Sequence, residues 1–312
     1  MGQANEDLPS GDEALEVLLH QLSARAYRFT AVTPATHERV LAHDWNGPAD
    51  LRDVFGWSRR FSEEDMDPAL IALLEAAGAL ERSDQGVRSR VRVASLGRDL
   101  FLHSAYPTDD ADAVFFGPDT YRFARFIRDE MRRLPAPRWI VDMGAGSGAG
   151  GIAAAREAPG ARLTLLDINP AALRLARINA AAAHVTAETE ESHRLPAGAE
   201  VVIPNPPYMI DAKERDYRHG GDLLGGAVAL DWAQQALAAL APGGTMLLYT
   251  GAAIANGRAP LVEALQEACG RAKARLSVEE IDPDVFGEEL EEPAYRDVER
   301  IAAIGAVIRV PG

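Results

Sequence analysis

Cysteine is nearly missing from this 312-residue chain: Cys269 stands alone. That excludes an internal disulfide and a cysteine-ligated metal cluster, and it makes a reducing cytoplasm the expected setting. Lysine is almost as scarce, at Lys213 and Lys273 only, so arginine carries nearly all the positive charge. Positive charge is itself in deficit, with Lys+Arg 32 against Asp+Glu 47 and a formal net charge of −15. This balance argues against coating nucleic acid by overall attraction, while leaving a local basic face open. No apolar run approaches the ~18 residues that span a bilayer. The start, Met1-Gly2-Gln3-Ala4-Asn5-Glu6-Asp7, has neither the basic opening nor the apolar stretch of a secretion signal. The sequence has no internal repeat, and its seven scattered histidines suggest no metal site.

A hydrophobic fraction of 47% at this length is enough for two buried cores. Residues 1–13 read as a polar, disordered tail. Residues 14–105 read as a mainly helical module. Ala14 to Leu19 opens one helix, and Asp67-Pro68 caps another whose stripe is Leu70, Ile71, Leu73, Leu74 and Leu80. In Gly86 to Val93 the period changes to two. Arg88, Arg90 and Arg92 would share one face of a strand, and Val87, Val91 and Val93 the other. Helices followed by a basic β-segment suggest a winged-helix-like fold that selects a substrate. Residues 106–135 read as a linker and a helix. Arg122, Arg125, Arg128, Arg132 and Arg133 fall roughly on one side of that helix. They suit a phosphate-binding surface together with the arginine strand, or simply a solvated face.

From residue 136 to 312 strands and helices alternate. The expected strands are Trp139–Asp142, Leu163–Asp167, Glu200–Ile203, Thr245–Tyr249 and Ile301–Val310. The expected helices are Gly150–Ala158, one from Asn169-Pro170 to about Ala183, Ala227–Leu240 and Leu261–Ala274. This is the pattern of an α/β, Rossmann-like, doubly wound sheet, whose ligands bind at the carboxyl ends of the strands.

Asp142-Met143-Gly144-Ala145-Gly146-Ser147-Gly148 joins a strand to a helix, and Asp167 ends the next strand 19 residues after Gly148. Glycines permit a tight turn and let a ligand approach bare backbone, and a carboxylate at Asp167 suits two ribose hydroxyls. From the loop alone, S-adenosylmethionine, a nicotinamide or flavin nucleotide, and a purely structural turn stay open, because Gly146 to Gly151 also satisfies the dinucleotide pattern. Asp142 favours the first, as an acid that could organise the loop for a cofactor carrying an amino group.

Pro204-Asn205-Pro206-Pro207-Tyr208 follows a strand directly. Asn205 offers a side-chain carbonyl, and Pro206 offers a backbone carbonyl with no competing N–H. Both precede proline, which stiffens the turn. Two fixed acceptors and the flat face of Tyr208 suit a planar amino group, either on a nucleic-acid base or on a glutamine. Such a site orients the nitrogen for in-line attack on a sulfonium methyl. A rigid proline turn closing a strand is the plainer alternative.

Residues from about 110 to 312 resemble class I S-adenosylmethionine-dependent methyltransferases of the small-domain type. That group includes release-factor glutamine methyltransferases and exocyclic-amine methyltransferases acting on RNA or DNA. The matching stretches are Val141 to Gly148, Leu166-Asp167-Ile168-Asn169, the motif Asn205-Pro206-Pro207-Tyr208, and Leu240 to Gly244. The resemblance implies a seven-stranded sheet with its last strand antiparallel. It implies S-adenosyl-L-methionine as cofactor, held by Asp142, Gly144, Ala145, Gly146, Gly148, Asp167, Ile168 and Asn205. It also implies Asn205, Pro206 and Tyr208 as catalytic residues, with Pro207 and Tyr208 touching the substrate.

A looser match is Phe116-Gly117-Pro118-Asp119-Thr120. It is similar to the Pro-Glu-Thr segment beside the cofactor in the glutamine branch, though an ordinary helix cap fits equally. Glu190 and Glu191 are candidates for an acid near adenine, or members of a solvated acidic loop. Tyr217 to Gly226 reads as a glycine-rich link that could close over substrate or merely connect. The run from Glu279 to Glu292, with Asp282, Asp284, Glu288 and Glu289, reads as a solvated insertion rather than a calcium loop.

The expected activity is N-methylation of a planar exocyclic amine in a macromolecule. An RNA or DNA base stands slightly ahead of a protein glutamine. A cofactor-binding subunit without catalysis and a nicotinamide-dependent oxidoreductase are the alternatives of other classes. No membrane partner is expected.

Overall fold

Helix signals in the first hundred residues sit where side chains can cap and apolar stripes can pair. The computed structural model describes residues 9, 11–45, 47–108, 110–210 and 220–312. Helix α1 (Gly11–Ala24) begins inside the stretch expected to be a tail, and its Asp12 carboxylate accepts from Arg174 and Arg177. Thr33 caps α2 (Pro34–Leu41), and Asp50 caps α3 (Leu51–Phe55) in a reciprocal box with Asp53. The Asp67 carboxylate accepts from Ala69 N at the head of α4 (Pro68–Ala76), as the Asp-Pro pair predicts. Leu15, Leu18, Leu19 and Leu22 of α1 bury against Leu70, Ile71, Leu73 and Leu74 of α4. Each such side chain contributes about 1.5–3 kcal/mol.

The single arginine-bearing strand is a correction. The chain forms two hairpins, β1 (Leu80–Ser83) with β2 (Gly86–Ser89), then β3 (Val91–Leu96) with β4 (Asp99–Ser104). It bends at Arg90, where the Ser89 hydroxyl donates to Val91 O and accepts from Val91 N. The bend destroys the period-two parity. Arg88 pairs with Glu81 across the first hairpin, while Arg92 turns inward, 5% exposed, with Nη1 3.2 Å from His37 Nδ1. The three arginines therefore share no face.

Helix α5 (Pro118–Met131) leads into a seven-stranded sheet of order β10-β11-β9-β8-β5-β6-β7. Its strands are β5 (Trp139–Met143), β6 (Arg162–Asp167), β7 (Glu188–Glu191), β8 (Val201–Pro204), β9 (Thr245–Ile254), β10 (Arg275–Asp282) and β11 (Arg300–Arg309). Only β11 runs against the rest. Its helices are α6 (Ala149–Glu157), α7 (Pro170–Ala182), α8 (Ala227–Ala239) and α9 (Pro260–Ala272). The central strands carry unbroken apolar runs such as Val201, Val202 and Ile203 because both faces are covered. Edge strands β7 and β10 are charged and face water, so they lack that signal. The acidic stretch from Glu279 thus begins as strand and continues through two short 3-10 turns, Gly287–Glu291 and Pro293–Tyr295. Among the described residues, no helix is long and apolar enough to cross a membrane, and no cluster of His, Cys, Asp or Glu could hold a metal.

The helical region is joined to the sheet by a shared core. Ala172, Leu175 and Ile178 of α7 pack in the same apolar cluster as the α1 leucines. Arg156 of α6 pairs with Asp99 of β4 at 2.8 Å. Asn179, fully buried on α7, accepts from Leu102 N and donates to Leu102 O and Ser147 O. One amide thus joins the second hairpin to the glycine-rich loop.

Candidate active site

Strand β5 ends at Met143, and the loop that follows must turn sharply into α6. Gly144, Gly146 and Gly148 all take positive φ, between +52° and +77°, which glycine adopts without a Cβ penalty. At Gly144 the need is also steric, because a methyl group there would lie 2.5 Å from Trp232 Cη2. At Gly146 it would meet nothing within 4 Å, so that backbone lies bare towards open space. Ala145 N donates to Leu166 O at 2.8 Å, and Gly146 N donates to Asp167 Oδ2 at 2.8 Å. The carboxylate of β6 therefore fixes the loop. Its other oxygen accepts from Asn169 N, ahead of α7.

These elements surround a cavity of ≈ 390 Å³ at the carboxyl ends of the parallel strands. The structure brings Gly144, Ala145, Gly146, Asp167, Ile168, Asn205 and Pro207 to its wall. Ile168 is the exposed one, at 50%. Four expected site residues, Asp142, Gly148, Pro206 and Tyr208, lie behind that wall.

Asp142 is 1% exposed, and its Oδ2 accepts from Gly151 N at 2.6 Å. It therefore ties β5 to the start of α6. Burial pushes its carboxyl up to about 7, with Gly151 N–H pulling down and the Asp167 charge pushing up. Tyr208 is 9% exposed; its ring covers Gly251 and meets Phe286 edge-on at 6.0 Å, and its hydroxyl donates to Asp119. The ring is thus committed to protein neighbours.

Asn205 is different. The residue lines the cavity, and its Oδ1 is buried with no hydrogen-bond partner among the described residues. A buried unpaired acceptor costs about 1–3 kcal/mol, which a ligand N–H would relieve. The loop and Asp167 suit S-adenosylmethionine, in a cavity of ordinary ligand size. Bare backbone and the Asp167 carboxylate can hold the cofactor's polar groups, while Met143, Ala145 and Phe123 give apolar wall.

Several wall residues escaped the sequence reading. Thr120 and Phe123 come from α5, Ser192 and His193 follow β7, and Val228 and Trp232 come from α8. The Asp119-Thr120 match was a usable signal: Thr120 lines the cavity and its hydroxyl accepts from Gly117 N, while Asp119 is buried beneath. Glu190 and Glu191 are exposed on an edge strand and do not reach the cavity. Tyr217, Arg218 and His219 lie outside the described residues, but Gly220 and Gly225 pack against the Tyr208 backbone.

The arginines of α5 mostly lie beside carboxylates. Arg122 pairs with Asp119 and Asp282, Arg132 with Glu157, and Arg133 with Glu130. Arg125 lies 3.8 Å from Asp129.

The methyltransferase small domain model matches residues 124–275. The release factor glutamine methyltransferase of Deinococcus radiodurans is 31% identical over 252 residues, covering 75% of this chain and 84% of that protein. A relative of the same name from Cereibacter sphaeroides is 34% identical over 143 residues, 40% of this chain and 51% of its own. Among solved structures, a candidate transferase from Pyrococcus horikoshii is 13% identical, with a TM-score of 0.50 over 95% of this chain and 98% of that one. That likeness is one of fold.

Proposed function

The chain belongs to the small-domain group of S-adenosylmethionine-dependent methyltransferases, and on that premise we propose that it methylates the side-chain amide of a protein glutamine, in a release factor. The observation that carries this reading is the orphan, buried Oδ1 of Asn205, a residue of the cavity wall. An amide –NH2 has two N–H bonds. One donates to Asn205 Oδ1; the other needs an acceptor nearby, and the Pro206 carbonyl, with no competing N–H, adjoins in the stiff turn just behind the wall. Held in this way, the nitrogen lone pair is turned away from its own carbonyl. The bound cofactor supplies an electrophilic methyl group. The protein's part is orientation and exclusion of water, which accounts for large rate gains without a strong base.

Glutamine now comes ahead of a nucleic-acid base for two reasons. Five curated relatives carry the name release factor glutamine methyltransferase. Of the arginines that favoured nucleic acid, Arg92 is buried, and Arg88, Arg122 and Arg132 are paired with carboxylates.

Labelled methyl transfer tests the reading. Purified protein, labelled S-adenosylmethionine and cell extract depleted of RNA or of protein are combined, then a purified release factor is used alone. Label is expected in the release factor and absent after its target glutamine is replaced by alanine. Asn205→Ala is expected to abolish transfer while cofactor binding persists. Label confined to RNA, or wild-type transfer by Asn205→Ala, refutes the proposal.

A further inference from the structure

Asp119 stands at a crossing of elements that the methyl-transfer reading leaves unused. It sits in the first turn of α5, 4% exposed, and its two oxygens serve different strands. Oδ2 accepts from the Tyr208 hydroxyl, in the turn after β8. Oδ1 accepts from the Tyr249 hydroxyl of β9 at 2.9 Å and from Arg122 Nη1 at 3.2 Å. Arg122 Nη2 continues to Asp282, at the end of β10, at 2.8 Å. One buried carboxylate thus links α5, β9 and the proline turn, and Arg122 extends the link to the sheet edge.

The Tyr208 side of this link has little freedom. A methyl group at Gly251 would lie 2.2 Å from the Tyr208 ring, and one at Gly225 would lie 2.2 Å from Tyr208 O. Gly220 N donates to Met209 O at 2.7 Å, and Ile210 N donates to the Tyr295 hydroxyl at 2.7 Å. The glycine-rich segment is therefore a close-fitting bed for Tyr208 and Met209. Within that bed, the only polar tether of the Tyr208 side chain among the described residues is Asp119.

We propose that Asp119 is a positioning residue of the methyl-transfer site, holding the Asn205–Tyr208 turn in register through the Tyr208 hydroxyl. The proposal rests on the reading of Asn205 as the acceptor of the target amine. Tyr208 is three residues from Asn205 across two prolines, so the turn moves nearly as one body. Releasing the hydroxyl frees that body, and the Asn205 carbonyl drifts from its target. A misplacement of about 1 Å costs about 100-fold in rate.

The carboxylate form is the one that works. Ionised, Asp119 accepts from Tyr208, Tyr249 and Arg122 together. Burial pushes its carboxyl up to about 6, against the downward pull of Tyr249 and Arg122 and with Asp282 pushing up. These are the titratable and charged groups that face it among the described residues. Protonation removes the charge that strengthens all three bonds, so the tether to Tyr208 weakens. Methyl transfer therefore falls as pH drops through about 6.

Asp119→Asn, Asp119→Glu and wild type are compared on whichever polymer the wild type methylates. Cofactor affinity is measured by calorimetry and the folded fraction by thermal denaturation. Hydrogen exchange at the amides of Asn205, Tyr208, Met209 and Ile210 reads the turn without any substrate. Asp119→Asn is expected to lower kcat by about 10- to 100-fold, to keep cofactor affinity within about twofold, to lose the acid limb and to speed exchange at those amides. Asp119→Glu is expected to restore part of the rate. Unchanged exchange in a folded Asp119→Asn overturns the proposal. So does a kcat loss that only tracks the folded fraction, or a retained acid limb. Label appearing in RNA would overturn the glutamine reading alone, since the exchange result would still judge Asp119.

Discussion

Replacing Asp142 with asparagine removes a buried charge while keeping the shape of the site. Asp142 has its Oδ2 on Gly151 N and is 1% exposed. Burial holds its carboxyl at about 7 in the fold, well above the ordinary aspartate value of 3.8. A carboxyl with a raised folded-state pKa is more easily protonated folded than unfolded. Stability therefore falls as pH rises from about 4 to about 7, and then levels off. At about 1.4 kcal/mol per pKa unit, the penalty relative to a neutral side chain grows by about 2–3 kcal/mol between pH 5 and pH 8. The amide introduced by Asp142→Asn would keep an acceptor for Gly151 N and escape that penalty. Asp119 titrates in the same direction but is common to both proteins, so it cancels. Urea denaturation at pH 5, 6, 7 and 8 measures the difference. Asp142→Asn is expected to gain on the wild type steadily with pH and to be the more stable protein at pH 8. A difference that stays flat from pH 5 to 8, or a variant weaker at pH 8, refutes the reasoning. Cofactor affinity in the same variant separates two roles. If Asp142 only ties β5 to α6, affinity is kept; if its charge attracts the cofactor's amino group, affinity falls most at high pH.

Gly144→Ala forces a side chain into positive φ and against Trp232, at about 1–2 kcal/mol for the backbone alone. Calorimetry is expected to show at least about tenfold weaker cofactor binding, since about 1.4 kcal/mol of distortion is already tenfold; unchanged affinity would sink the placement of the loop. Asn179→Ala removes three buried hydrogen bonds between α7, the second hairpin and the Ser147 carbonyl. It is expected to lose about 2–4 kcal/mol in denaturant titration. Asn179→Asp is expected to lose more, because its carboxylate would face two carbonyl oxygens. Equal stability of the three proteins would contradict the assigned bonds.

Much of the sheet was legible because its central strands are covered on both faces, and such strands spell continuous apolar runs bounded by Gly, Pro and Asn. The same physics hid the edges. β7 reads Glu188-Thr189-Glu190-Glu191, and a sequence cannot separate a charged edge strand from a charged loop. Missing β7 also hid Ser192 and His193, which reach the cavity only because that strand ends beside β6. The arginine segment misled for a local reason: period two holds only while a strand stays straight, and Ser89 bends this one at Arg90. That the glycine loop, Asp167 and Asn205 meet at one cavity was readable because each ends a strand of the alternating pattern. Asp119 and Tyr249 were not, since they lie 130 residues apart and only the crossing of α5 over β9 joins them. In Asn205-Pro206-Pro207-Tyr208 the motif shows which acceptors a turn could offer an amine, but not what holds the turn still. That depends on carboxylates and glycines from elsewhere in the chain, at positions where the sequence around them looks like an ordinary cap and an ordinary link.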